Sequence, residues 1–223
     1  MNWGALVLTV KLASLVSLIL MLVGIPVALW VAYSRWRWKF LAESVVALPI
    51  LLPPTVMGFY LLVAFGSATA LGRWYQNVTG GTLAFTFSGL VVASVMYSLP
   101  FAVHPMVGGF RAVDRKLMAA ASTLGARKLK IYSQIVLPLA WPSLVTGLVL
   151  SFAHTVGEFG VVLMVGGNIA GSTRTLSIDI FDQVEALNYH SANVTAFTLL
   201  VFSYSLLCIV YGLNQKLVFW ETR

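Results

Sequence analysis

The sequence predicts an all-α fold, a polytopic membrane bundle of about five transmembrane helices. Three observations predict it. Of 223 residues, 59% are hydrophobic and 9% charged, with a mean hydropathy of +0.90. Soluble domains carry roughly 25% charged residues, so this chain cannot cover an aqueous surface and lipid must be its solvent. Five apolar runs reach the ~20 residues that a spanning helix needs. Runs such as Val145 to Phe152 do not alternate polar with apolar, as barrel strands would, and an open sheet would leave backbone groups unpaired in lipid.

The first run covers about 5–33. Lys11 lies near its start, where a lysine stem can snorkel to the interface. The run continues past signal-peptide length without a small-residue cleavage site and is read as a retained span. The second, about 44–66, contains Leu48-Pro49-Ile50-Leu51-Leu52-Pro53-Pro54-Thr55. Each interior proline removes a helical hydrogen bond and crowds the preceding turn, so Pro53 and Pro54 predict a helix break. Two readings stand: a packing kink, or a break that shapes a passage, because irregular backbone at membrane depth survives only against protein or a water-filled cavity. The third run is about 83–108 and the fourth about 136–160, with Trp141 marking a turn inside it. The fifth, about 194–214, holds the one cysteine, Cys208, which excludes an intrachain disulfide. No repeat or low-complexity linker divides the chain, and a single domain over 1–223 is expected.

Basic residues set the orientation. Arg35, Arg37 and Lys39 follow the first run. Arg111, Arg115, Lys116, Arg127, Lys128 and Lys130 follow the third, and Lys216 and Arg223 lie at the end. The opposite side has Arg73 and Arg174, with Lys11 near the N-terminal interface. The positive-inside rule puts the larger group in the cytoplasm, the N-terminus outside and the C-terminus inside. Trp3, Trp30, Trp36, Trp38, Trp74 and Trp220 fall near span ends, as interfacial aromatics should. A net charge of +7 would suit nucleic acid, but clusters between apolar runs are topology signals, and no nucleic-acid partner is expected.

Between the third and fourth runs, residues 111–135 form a short basic amphipathic segment. Leu117, Leu124 and Ile131 recur at intervals of seven, on one side of a helix, with Ala120 and Ala121 between the first pair. Gly125 interrupts the stripe, which suggests two short helices bent there and a small-residue knob. Charge and amphipathicity alone favour a helix lying on anionic lipid, and only the motif spacing reverses that reading.

The order Ala119-Ala120-Ala121, three residues, Gly125, nine residues, Ile135-Val136-Leu137-Pro138 resembles the cytoplasmic docking motif of ABC-transporter permeases. Ala119 replaces the family's leading Glu, and Asp114 is a nearby carboxylate that could stand in for it. The resemblance implies that this segment inserts into a cleft on a separate ATPase subunit. Two ATPases would drive a permease dimer between inward-facing and outward-facing states. ATP and Mg would then bind the partner and no cofactor would bind this chain, which has no Gly-x-x-x-x-Gly-Lys-Ser/Thr sequence of its own. The resemblance also implies the type I, MetI-like importer fold.

The stretch Gly157-Glu158-Phe159-Gly160-Val161-Val162-Leu163-Met164-Val165-Gly166-Gly167-Asn168-Ile169, with Thr173-Arg174-Thr175-Leu176-Ser177-Ile178 and the Pro53-Pro54 run, resembles the permeases of molybdate ABC transporters over nearly the whole chain. That implies import of molybdate, with tungstate nearly isosteric, across a prokaryotic inner membrane. The implied partners are a second copy of the chain, two ATPases, and a periplasmic or extracellular oxyanion-binding protein, besides lipid. Sulfate permeases share the Gly-Glu-Phe-Gly element and are the alternative.

His154 and Glu158, four residues apart, are expected on one helical face as a gate or structural polar pair. A fixed carboxylate would repel a dianion, so Glu158 is read as fixing the following loop through backbone N–H groups or a basic partner. Direct pathway lining is the other reading. His104 reads as interfacial, and no metal-ligand spacing occurs near either histidine. Arg174, with Asp179, Asp182 and Glu185, could contact a binding protein or belong to a solvated loop. A secondary transporter is disfavoured, because only one run has a double proline and five spans do not divide evenly. An intramembrane hydrolase built on Ser151 and His154 is disfavoured because no Gly-x-Ser-x-Gly occurs.

Overall fold

The computed structural model describes residues 2–221, except the side chains of Val210 and residues 213–221; the expectations placed on Lys216, Trp220 and Arg223 lie outside the described residues. The elements are α1 (Trp3–Tyr33), α2 (Lys39–Leu51), α3 (Pro54–Phe65), α4 (Ala70–Thr79), α5 (Phe87–Ala112), α6 (Arg115–Thr123) and α7 (Lys128–Ile131). A π-helical turn (Tyr132–Val136) leads into α8 (Leu137–Leu139), followed by α9 (Trp141–Gly157), α10 (Gly160–Gly166), α11 (Leu176–Glu185) and α12 (Tyr189–Glu221). No strand occurs among the described residues.

The core is a three-helix assembly of α1, α5 and α9. Helices α1 and α5 run in the same direction: Lys11 lies over Phe87, Gly24 faces Val103 and Met106, and the Tyr33 hydroxyl donates to the Phe110 carbonyl at 2.6 Å. Helix α9 returns antiparallel to α5, with Ser143 opposite Gly109, Gly147 opposite Ala102, and His154 and Thr155 opposite Ser98. A Cβ on Gly147 would approach the Ala102 carbonyl oxygen to 2.7 Å. Glycine there lets two helices pack backbone to backbone, as small residues do in lipid, where hydrophobicity cannot drive helices together. Leu12, Val16, Leu20, Leu90, Val103, Met106, Phe110 and Leu144 fill the space between the three.

The second apolar run is more than a kinked span. Leu52 and Pro53 are extended, Pro54 opens a new helix, and α2 and α3 are bent by 112°. Glu43 of α2 pairs with Arg111 at the end of α5 at 2.6 Å. Leu61 and Phe65 of α3 pack with Ala93 and Tyr97, near the start of α5. The pair therefore runs from the Arg111 end of α5 to the level of Ala93 and Tyr97, turning sharply at its break. The fourth run is also broken: the segment Lys128–Leu139 meets α9 at 69°, about Ala140 and Trp141. With α1, α5 and Tyr189–Ile209 able to cross unaided, each bent pair taken as one span makes five.

Three expectations change. Arg111 belongs to α5, where its pairing with Glu43 places it in the bundle end and outside the docking segment. The Leu117–Leu124–Ile131 stripe is not one helical face, because the helix stops at Thr123. Leu117 and Leu124 are exposed, while Ile131 turns into the core. His154 and Glu158, expected as a polar pair, bind different partners, Ser98 and the Val161 N–H.

Candidate functional site

At the end of the bundle that gathers most of the basic residues, α6 and α7 form a projecting foot. Asp114 caps α6, its side chain accepting from the Lys116 N–H at 2.8 Å. This satisfies one of the unpaired amides that every helix start presents. At the other end Gly125 has φ +81°; Ala126 N–H donates to the Ala121 carbonyl and Gly125 N–H to the Ser122 carbonyl, each at 3.0 Å. These are the paired bonds of a Schellman stop, which needs a left-handed residue in the Gly125 place. The backbone of the turn itself therefore favours glycine. Its surroundings are open, with nothing in this chain within 4 Å of a Cβ built there.

The foot exposes apolar surface that a membrane bundle has no internal use for. Leu124 is 88% exposed, Leu129 81% and Leu117 49%. Ala119 and Ala120 are exposed on α6 and Ala121 is half-buried. Behind them a cleft of about 480 Å³ has Ala121, Ile131 and Ile135 in its wall and Arg127 and Lys130 at its rim. Ile135 lies in the π-helical turn, and Leu137 and Pro138 open α8. Proline lacks an N–H, and just before it the helix widens to a π turn in which the Leu137 N–H bonds the Tyr132 carbonyl. The foot is tied to the bundle through Tyr132, whose ring meets that of Tyr33 at 5.9 Å, while the Tyr33 hydroxyl holds Phe110.

Further along the bundle, the start of α3 after its break meets the start of α10 after the end of α9. Helix α9 ends at Gly157, and Glu158 is extended with φ −69° and ψ 133°. That turn redirects the chain after Glu158 and brings the Val161 amide back within reach of its carboxylate. The Glu158 carboxylate is buried, 6% exposed, and accepts from the Val161 N–H at 2.8 Å, capping the first turn of α10. Its own carbonyl accepts from the Ser177 hydroxyl. No ion pair reaches it among the described residues.

His154 binds elsewhere. Its Nδ1 lies 2.9 Å from Ser98 Oγ, which lies 3.0 Å from Thr155 Oγ1. The Thr155 hydroxyl donates to the Ser151 carbonyl at 2.8 Å. With one proton per hydroxyl, Ser98 donates to Thr155, and His154 donates from Nδ1 to Ser98, leaving Nε2 as the acceptor. Phe101 stacks on the imidazole at 3.8 Å and Tyr97 lies at 5.0 Å. Arg174 is engaged within its own chain: Nε donates to Asn168 at 2.6 Å, and Asp182 lies 3.6 Å away.

Sequence reasoning missed Ser98, Thr155 and Ser177, since nothing local marks a serine whose partner is 56 residues away. It also missed Gly58 and Gly160. A Cβ on Gly58 would stand 2.7 Å from Met164 Cβ, and one on Gly160 2.6 Å from Pro54 Cβ. The small residue beside each helix break was the available signal.

Comparison with known proteins adds three likenesses. The chain is 50% identical over 209 residues to the molybdenum transport system permease protein ModB of Azotobacter vinelandii, covering 94% of this chain and 92% of that protein. It is 32% identical over 209 residues to the probable sulfate transport system permease protein cysT of Chlorella vulgaris, covering 92% and 77%. Its fold matches the crystal structure of a bacterial ABC transporter involved in the import of the acidic polysaccharide alginate, with a TM-score of 0.77 at 14% identity over 97% of this chain and 80% of that one. The family described as binding-protein-dependent transport system inner membrane component matches residues 24–219. With helices able to cross lipid several times, this chain is a multi-pass membrane protein and belongs to that family of inner-membrane transport components.

Proposed function

We propose that this chain is the permease subunit of an ATP-driven importer that moves molybdate, and the nearly isosteric tungstate, by alternating access. The observation that carries the reading is the foot: a capped, Schellman-closed helix pair that exposes Leu124 and Leu129 among Arg127, Lys128 and Lys130 at one end of an otherwise lipid-facing bundle. Apolar surface on a basic, aqueous end is a docking feature. Without a phosphate-binding loop of its own, the chain takes its energy from a separate ATPase. ATP and Mg belong to that partner.

In this reading two copies of the permease domain pack about a two-fold axis, with the passage between them, and two ATPases grip the two feet. The N-terminus faces outward and the C-terminus the cytoplasm. Ala120, Ala121 and Gly125 form the knob that enters the ATPase cleft, with Asp114 holding its first helix in shape. Arg174, braced by Asn168 and Asp182, lies on the outer loop that receives the oxyanion-binding protein. A conduit must release what it binds, so neutral donors suit the anion better than fixed charges. Glu158, turned to its own backbone, fits a structural part.

Molybdate is preferred over sulfate because the molybdenum-permease likeness is the closer of the two over a similar length. Reconstitution in vesicles with the ATPase and the binding protein tests both layers. ATP hydrolysis stimulated by binding protein loaded with molybdate or tungstate is the expected result. Stimulation by sulfate alone would overturn the substrate, and transport without any ATPase would overturn the class.

A further inference from the structure

We propose that the outer end of α1 carries a binding site for the phosphate of an anionic phospholipid, built around Lys11. A cavity of about 600 Å³ opens there, between the α1 face carrying Trp3, Val7 and Lys11, Phe87 at the start of α5, and Ser172 of the loop before α11. Among the described residues Lys11 is the only lysine or arginine set two full turns inside a membrane-crossing helix.

No carboxylate neutralises it. The ion pairs among the described residues are Glu43–Arg111 and Arg174–Asp182. Asp179, which the fold brings to the first residues of α1, gives its two oxygens to Asn2 at 2.9 Å and Gln183 at 2.6 Å. The Lys11 ammonium instead lies 4.9 Å from the centroid of the Phe87 ring. A ring face attracts a cation yet leaves its three N–H donors free for an anion.

The depth of the ammonium selects the ligand. Phe87 is the first residue of α5, so the charge sits level with the start of α5 and about two turns short of the end of α1. Helical side chains lean toward the helix N-terminus, and a lysine stem lies along apolar surface with its charge at the interface. In α1 both directions lead outward, toward Trp3, which helix rise puts ~12 Å further along the axis, at headgroup level. The ammonium would meet the phosphate, Ser172 would offer a hydroxyl beside it, and Val7 and Trp3 would line the glycerol and upper acyl chain. A free oxyanion would find one ammonium and leave the apolar walls uncovered.

The test uses the purified transporter complex in mixed micelles containing phosphatidylglycerol or phosphatidylcholine. Retained lipid is counted by native mass spectrometry, with inorganic phosphate and molybdate as competitors. The expected result is selective retention of phosphatidylglycerol. Lys11→Ala should weaken it about fivefold, the size of one lysine contact with an anionic lipid surface, and Lys11→Arg should restore it. Equal retention by Lys11→Ala overturns the site. Displacement by phosphate or molybdate would reassign it to a free oxyanion. Disulfide trapping of a second copy by Val7→Cys would put protein in the groove and also overturn the proposal.

Discussion

Gly160 seats against Pro54: a Cβ at position 160 would stand 2.6 Å from the proline Cβ. Pro54 opens α3 and Gly160 opens α10, so the starts of two helices that follow chain breaks touch each other. Interrupted helices at membrane depth need protein cover for their unpaired backbone groups. Here each break lies against the other, and the glycine permits that approach.

Gly160→Ala should therefore destabilise the protein. The proline ring is fixed to its backbone and cannot swing aside, so the added methyl must separate α3 from α10. Overpacking of this kind costs about 1–3 kcal/mol. A lowered melting temperature of the purified protein in detergent is the expected reading. An unchanged one would mean the two helix starts are not held in contact.

Gly125 separates backbone strain from docking. Asparagine tolerates the left-handed conformation, so Gly125→Asn should keep the foot folded. Gly125→Ala should cost on the order of 1 kcal/mol of local strain. Gly125→Trp should insert in the membrane normally yet abolish uptake, because bulk at the knob blocks the ATPase. Normal uptake by the tryptophan variant would remove the docking role from this turn.

Asp114→Ala should loosen α6, since loss of an N-cap costs about 0.5–2 kcal/mol. Asp114→Asn keeps an accepting oxygen and should behave like the parent. Faster hydrogen exchange over residues 115–123 in the alanine variant alone is the check.

Glu158→Gln and Glu158→Ala should differ. A glutamine oxygen can still accept from the Val161 N–H, whereas alanine leaves a buried donor unpaired at a cost of about 1–3 kcal/mol. Thermal stability near the parent for glutamine and well below it for alanine is expected. Equal loss in both would mean that the negative charge itself is required.

The Ser98–His154–Thr155 chain should be cooperative. Ser98→Ala and Thr155→Val each break the relay that orients the imidazole. Their double variant should lose less stability than the sum, with a coupling of about 0.5–3 kcal/mol. Strict additivity would show that the three side chains act separately.

By itself the sequence determined the solvent, the helices and the ends. Composition made lipid the medium, run length placed the apolar segments, and clustered arginine and lysine marked one end. These are local or summed properties, readable without knowing what touches what. The bend at Gly125 was legible for the same reason, since a Schellman stop is written in a few adjacent residues. Tertiary structure alone decided the rest. Pro53 and Pro54 announced a break, but its angle and its seat against Gly160 depend on residues about a hundred positions apart. Four-residue spacing paired His154 with Glu158, but spacing could not name the partner that each one binds. With α9 ending at Gly157, one side chain turns to Ser98 and the other to the Val161 amide. Periodicity holds only inside an unbroken helix, and where a helix stops is settled by what packs against its end.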